Sequence, residues 1–219
     1  IIAKCNGVLR NSINQMLKNH KTSFDYNPNR ILAEVEKGAL NRDMSSDVMK
    51  AAFKNARVRP IVEKRVEHLA HFAREIFITI SRAVEQIHDG IRWICKRFYK
   101  HIKKAFGEMQ SSVGEQRDFT LFIGKYIIER LFGPMIIDPG RFNVTNEPLT
   151  KTTSKNLKLV LTTLKHISAN ITYDTQTSPW LKGLVHEVDG NYRIALSWAH
   201  AIISSDELDM ETEIFTDLY

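Results

Sequence analysis

The stretch "IIERLFGPMIID", residues 127–138, decides how this sequence is read. It lies in the most apolar part of the chain, yet it carries Glu129 and Arg130 side by side and then meets Gly133-Pro134. A core helix has no packing use for a guanidinium, and burying a charge is costly unless it is paired and hydrogen-bonded. Arg130 therefore either points away from the core or holds something in place. The run from Phe119, "FTLFIGKYIIERLF", is apolar nearly all round, which predicts a central helix packed on several sides. Pro134 and the "DPG" at 138–140 predict its end.

Outward from this stretch the dominant signal is a 3.6-residue period, with little strand-like alternation. Residues 1–19 read as one apolar-faced helix, and "TSFDYNPN" (22–29) as a turn-rich break before a short helix at about Arg30–Leu40. Ser45, Ser46 and Asp47 mark another helix start. From Pro60, the residues Ile61, Val66, Leu69, Ala73, Ile76, Ile80, Val84 and Ile87 form one face of a long helix, broken at "HDG" (88–90). The next helix places Ile91, Ile94, Cys95, Phe98, Ile102 and Phe106 inward. A polar loop (107–118) precedes the central helix, and a long irregular loop, "RFNVTNEPLTKTTSK", follows it. Leu157, Val160, Leu164, Ile167 and Ile171 mark a further helix. "TSPWLKGL" and "NYRIALSWAHAII" supply two more, and residues 206–219 an acidic tail expected to dock on the bundle. The expectation is an all-α chain, one helical domain over residues 1–219.

The 219 residues do not begin with Met and open in what reads as mid-helix, so the sequence is taken as a fragment of a longer protein. A net charge of +6 favours an acidic partner. Cys5 and Cys95 are too few and too far apart for a disulfide framework or a zinc site, and read as buried thiols of a cytoplasmic protein. Lys125, Glu129 and Arg130 interrupt the apolar run that approaches membrane-spanning length. Phosphate-loop, dinucleotide-binding and nucleophile-elbow motifs are missing, and His68 and His71 lack the further ligands that a metal needs. No cofactor or metal is expected. In "RWICKRFYKHIKK" (92–104), Arg92, Lys96, Lys100, Lys103 and Lys104 form a cationic stripe. It reads either as a solvated helix face or as a landing strip for an acidic protein or an anionic membrane surface. Nucleic acid is not expected, since no nucleic-acid-binding module accompanies the charge.

"IIERLFGPMIIDPGRFNV" resembles the second signature of Ras GTPase-activating domains, with Arg130, Pro134, Ile136, Pro139 and Phe142 in the matching places. "SKNLKLVLTTLKHISAN" is similar to the helix that follows in those domains. "AVEQIHDGIRWICKRFYKHIKKAF" and the closing "ETEIFTDLY" resemble the IQGAP branch, so the resemblance extends over most of the chain. It implies a helical domain with a shallow groove for the switch regions of a small GTPase of the Rho or Ras family. It also implies a cytoskeletal scaffold acting in the cytoplasm, at the cell cortex or contractile ring. In true activators a loop near the N-terminus supplies an arginine finger, worth about 10³–10⁵ in rate. That loop would precede residue 1. IQGAP-type domains generally lack the finger and bind without accelerating hydrolysis, so regulation of a GTPase is expected rather than turnover of a substrate of the chain's own. By the same resemblance Arg130, with Pro134, braces the finger loop by donating to its carbonyls, which suits a planar fork of five donors. Lys155, Asn156 and Asn170 become groove candidates, though Lys155 and Asn156 also fit solvated first-turn positions and Asn170 a helix cap. The chain departs from the family's pattern at Gly133, Met135 and Thr162, where Asn, Ala and Lys are usual.

Overall fold

The computed structural model describes residues 2–19, 22–38, 43, 45–110 and 119–204. The described residues are helical throughout their regular structure and contain no strand, so the chain is all-α as its periodicity predicts. At the centre lies α4 (Arg59–Ser81), with Pro60 in its first turn. Its buried stripe of Val62, Val66, Leu69, Phe72, Ala73, Ile76, Phe77 and Ile80 packs chiefly on α8 (Lys151–Ala169). Burying each of the larger of these side chains contributes about 1.5–3 kcal/mol. The helix stops six residues before its predicted end; a 3₁₀ turn, Val84–Gln86, delivers Ile87 to the core instead.

Around this pair sit α1 (Ile2–Asn19), α2 (Pro28–Glu36), α3 (Ser46–Lys54) and α9 (Lys182–Gly190). On the other side of α8 lie α6 (Thr120–Ile127), α10 (Tyr192–Ile203) and α5 (Asp89–Gln110). Asn27 starts α2, its side chain accepting from the amides of Asn29 and Arg30 at 3.0 and 3.2 Å, with Pro28 as the first helical residue. Gly124 lets α6, α8 and α10 meet: a Cβ there would stand 3.2 Å from the Ser168 carbonyl and 3.3 Å from the Trp198 ring. Trp198 in turn lies edge-on to Phe77 at 5.7 Å.

The central apolar segment does not stop at Pro134. It widens into one π turn, Ile128–Phe132, and resumes as α7 (Gly133–Ile137) before ending at Asp138. Proline has no N–H, so one carbonyl of the preceding turn loses its donor. The widened turn accommodates this, with the Gly133 amide donating back five residues to Ile128. The long loop that follows is fastened to α1. Asn6 donates to the Phe142 carbonyl, Arg10 to that of Asn143 at 3.1 Å, and Thr145 to the Asn14 side chain.

The inner face of α5 is rotated from its expected position. Cys95 is buried, but Ile94 is 52% exposed and Phe98 37%, and Arg92, expected in the solvent stripe, keeps only 13% of its side-chain exposure. Burial pushes the Cys95 thiol up to about 11, so it is an inert core thiol. The α5 helix also runs four residues past its expected end, to Gln110, while the side chain of Phe106, most of the polar loop (111–118) and the acidic tail lie outside the described residues. No described helix is long and apolar enough to cross a membrane.

Candidate functional site

The site is built on the antiparallel pairing of α8 with the α6–π–α7 rod. Lys165 donates to Glu129 at 2.7 Å, and Leu161 packs where a Gly133 side chain would stand. The Lys165 ammonium, by this hydrogen bond first and its charge second, holds the Glu129 carboxyl below the usual carboxylate range. These contacts set the register, and they leave Arg130 and Pro134, each one residue further along, exposed to solvent. Arg130 makes no hydrogen bond or ion pair among the described residues. Of the alternatives posed by the sequence, it points away from the core.

Along α8, Lys151, Lys155, Lys158 and Thr162 recur at steps of four, three and four residues and are all exposed. They form one solvent-facing row with Lys165 next in the same register. Thr162 turns its hydroxyl back to the Lys158 carbonyl at 3.0 Å, and Lys158 one turn earlier supplies a cation on the same row. Sequence reasoning missed Lys151 and Lys158; their four-then-three spacing with Lys155 was the available signal. At the start of α8, a cleft of about 710 Å³ opens between Leu17 and Lys18 of α1 and Glu147, Pro148, Thr150, Thr152 and Thr153. Thr150 caps the helix, accepting from the Thr153 amide at 3.1 Å.

Asn156 is not a groove residue that can touch a partner. It is fully buried, where its oxygen accepts from the Phe24 amide at 2.8 Å and its nitrogen donates to the Thr22 carbonyl at 2.9 Å. An amide paired on both sides is a brace for residues 22–24, and periodicity cannot distinguish it from a solvated first-turn polar residue. Asn170 is exposed and takes the left-handed conformation, φ 51°, that closes α8. It stands 15 residues, about 22 Å of helix, from Lys155. The candidates are thus spread along a surface rather than gathered in a pocket.

Beside Asn170, His166 stacks on Tyr173 at 4.2 Å and lies 2.8 Å from the Ile171 carbonyl through Nδ1. A carbonyl only accepts, so Nδ1 carries the proton; burial favours the neutral ring and lowers its pKa.

The expected stripe on α5 divides. Arg92 is turned inward beside Asp89 at 3.5 Å, and Lys96 is half-buried. Lys100, Lys103 and Lys104 are exposed, joined by Arg97, which lies over the Trp93 ring at 5.2 Å. No group of three or more His, Cys, Asp or Glu side chains able to hold a metal occurs among the described residues.

Two Dictyostelium discoideum proteins are similar to the chain. Ras GTPase-activating-like protein gapA is 26% identical over 155 residues, covering 69% of this chain and 17% of that protein. Ras GTPase-activating-like protein rgaA is 24% identical over 159 residues, covering 68% and 18% respectively. The chain therefore spans less than a fifth of either relative. Residues 5–169, well over half of the sequence, match the RasGAP family, described as GTPase-activator protein for Ras-like GTPase. With its helical architecture, the chain belongs to the RasGAP family.

Proposed function

We propose that residues 1–219 act as a GAP-related domain that docks a GTP-loaded small GTPase of the Rho or Ras family. In this reading the domain serves an IQGAP-like cytoskeletal scaffold in the cytoplasm, at the cell cortex or contractile ring, and does not itself accelerate hydrolysis. The observation that carries the reading is the exposed row Lys151–Lys155–Lys158–Thr162 on α8, the helix that Lys165–Glu129 and Leu161–Gly133 pair with the segment carrying the exposed Arg130 and Pro134. It offers charge along some 16 Å of one rigid helix, at about 1.5 Å per residue, which suits an extended acidic protein surface. Arg130, exposed and without a partner among the described residues, is available to brace a loop supplied from outside this sequence. Binding the GTP form more tightly than the GDP form is what would make the domain an effector.

A genuine activator is the second reading. The family's description and the names of both relatives favour it. Single-turnover hydrolysis by GTP-loaded Ras and Rho GTPases, with the domain extended upstream, separates the two: binding without acceleration supports the scaffold, and an acceleration of about 10³ or more supports the activator. Arg130→Ala should leave the stability of this chain within about 0.5 kcal/mol and weaken GTPase binding. Full binding by that variant would refute the bracing role.

A further inference from the structure

The face that α5 turns to solvent joins part of α6 in one apolar patch. Phe98 meets Phe122 at 6.0 Å and Tyr126 at 5.6 Å between ring centroids. With Ile94, one turn before Phe98, these are four of the large apolar side chains left exposed on the described surface. Contiguous exposed patches of this kind mark surfaces that something covers. Along the solvent edge of the patch Arg97, Lys100 and Lys104 recur at three and four residues, all exposed. Such a surface fits a segment that is itself apolar and acidic.

This chain carries one. Residues 205–219, "SDELDMETEIFTDLY", hold six acidic residues and no Lys or Arg, interleaved with Leu208, Met210, Ile214, Phe215, Leu218 and Tyr219. They follow directly on α10, which packs against both α5 and α6. Fifteen extended residues reach up to about 50 Å, whereas α5 is about 33 Å long. The row on α8 offers a competing cationic surface. None of the exposed large apolar side chains falls between Lys151 and Lys165, so it gives the tail's apolar residues nothing to cover.

We infer that residues 205–219 dock across the α5/α6 patch, placing their carboxylates along Arg97, Lys100 and Lys104 and their apolar side chains on Phe98, Phe122 and Tyr126. The strap covers a surface that would otherwise attract anionic lipid or a second copy of the chain. It does not depend on the GTPase-binding reading.

Zero-length carbodiimide coupling of the full chain, in an equal mixture of ¹⁴N- and ¹⁵N-labelled protein, tests this by mass spectrometry. The expected products join Lys100 or Lys104 to Glu211, Glu213 or Asp217 within one isotope. The double variant Lys100→Glu/Lys104→Glu should leave the circular dichroism unchanged, while the tail carboxylates lose their coupling to α5. Coupling of the tail mainly to Lys151, Lys155 or Lys158, mixed-isotope products, or no tail coupling at all would overturn the inference. A second variant, with Asp206, Glu207, Glu211 and Glu213 changed to their amides, should co-sediment with phosphatidylserine–phosphatidylcholine vesicles several-fold more than the unaltered chain. Equal sedimentation would mean that the tail does not shield the patch, and would overturn the inference equally.

Discussion

Two cationic rows lie on this molecule, and they differ in what stands beside them. On α8, Lys151, Lys155 and Lys158 share their exposed row with Thr162, on a helix whose opposite side is locked into the core by Leu157, Val160, Leu164 and Ile167. On α5, Arg97, Lys100 and Lys104 border Ile94, Phe98, Phe122 and Tyr126. Charge among polar neighbours on a rigid helix costs nothing to leave in water, and serves to steer and orient a partner that comes and goes. Charge beside an apolar patch belongs to a surface that gains by being covered. Net charge, which is +6 for the whole chain, cannot separate these cases. The neighbours of each charge can.

Four measurements would break or sharpen this contrast. The largest effect is expected at Asn156, which anchors the second turn of α8 to residues 22–24. Asn156→Ala strands the buried Phe24 amide and should cost about 2–3 kcal/mol in chemical denaturation. A neutral result would mean that the α8 row does not rest on a rigid brace. Next, Lys155→Glu with Lys158→Glu should slow association with a GTP-loaded GTPase about tenfold at low salt, the difference shrinking as salt rises, with stability unchanged. The same reversal at Lys103 and Lys104 should leave that rate alone; equal slowing would abolish the distinction between the rows.

A smaller effect belongs to pH. The lowered pKa of His166 means that the unfolded chain takes up the proton first on acidification. Its contribution is therefore complete above the ordinary histidine range and declines as pH falls through that range, until the folded ring also protonates. Thermal melts across that interval should show a shallower slope for His166→Phe, which keeps a ring against Tyr173 but cannot titrate. The smallest effect is expected at Lys165→Ala. Its pair with Glu129 is partly exposed, so the loss should stay below about 1 kcal/mol. The Glu129 carboxyl should return towards its ordinary value, as read by NMR titration.

Much of the fold was legible because burial repeats with the helix. The regular spacing of Val66, Leu69, Ala73, Ile76 and Ile80 announced α4, and Leu157, Val160, Leu164 and Ile167 announced α8. Periodicity says less about which way an amphipathic helix is rolled when its apolar stripe is wide. On α5 the core is centred on Cys95, and Ile94 and Phe98 fall at the rim. That roll turned Arg92 inward and brought the unremarked Arg97 to the surface. Pro134 misled for a different reason: local rules give proline the power to stop a helix, whereas flanking core residues kept the rod together through it. Asn156 shows the limit for single polar residues. Its partners are the main chain of residues more than 130 positions away, which no local pattern encodes.

The widened turn at Ile128–Phe132 also sets the angular bookkeeping of the central rod. An α-helix advances about 100° per residue, so one surplus residue changes the azimuth of everything after it. Upstream, Leu121, Ile123, Gly124 and Ile127 point to the core; downstream, Met135 and Ile136 do so only because the extra residue has been absorbed. Deleting one residue between 128 and 132 would restore uniform winding with Met135 and Ile136 still facing the core, whereas uniform winding with that residue retained would swing Ile136 out towards water. The widened turn thus keeps one apolar face continuous through a segment that is a residue too long for uniform winding.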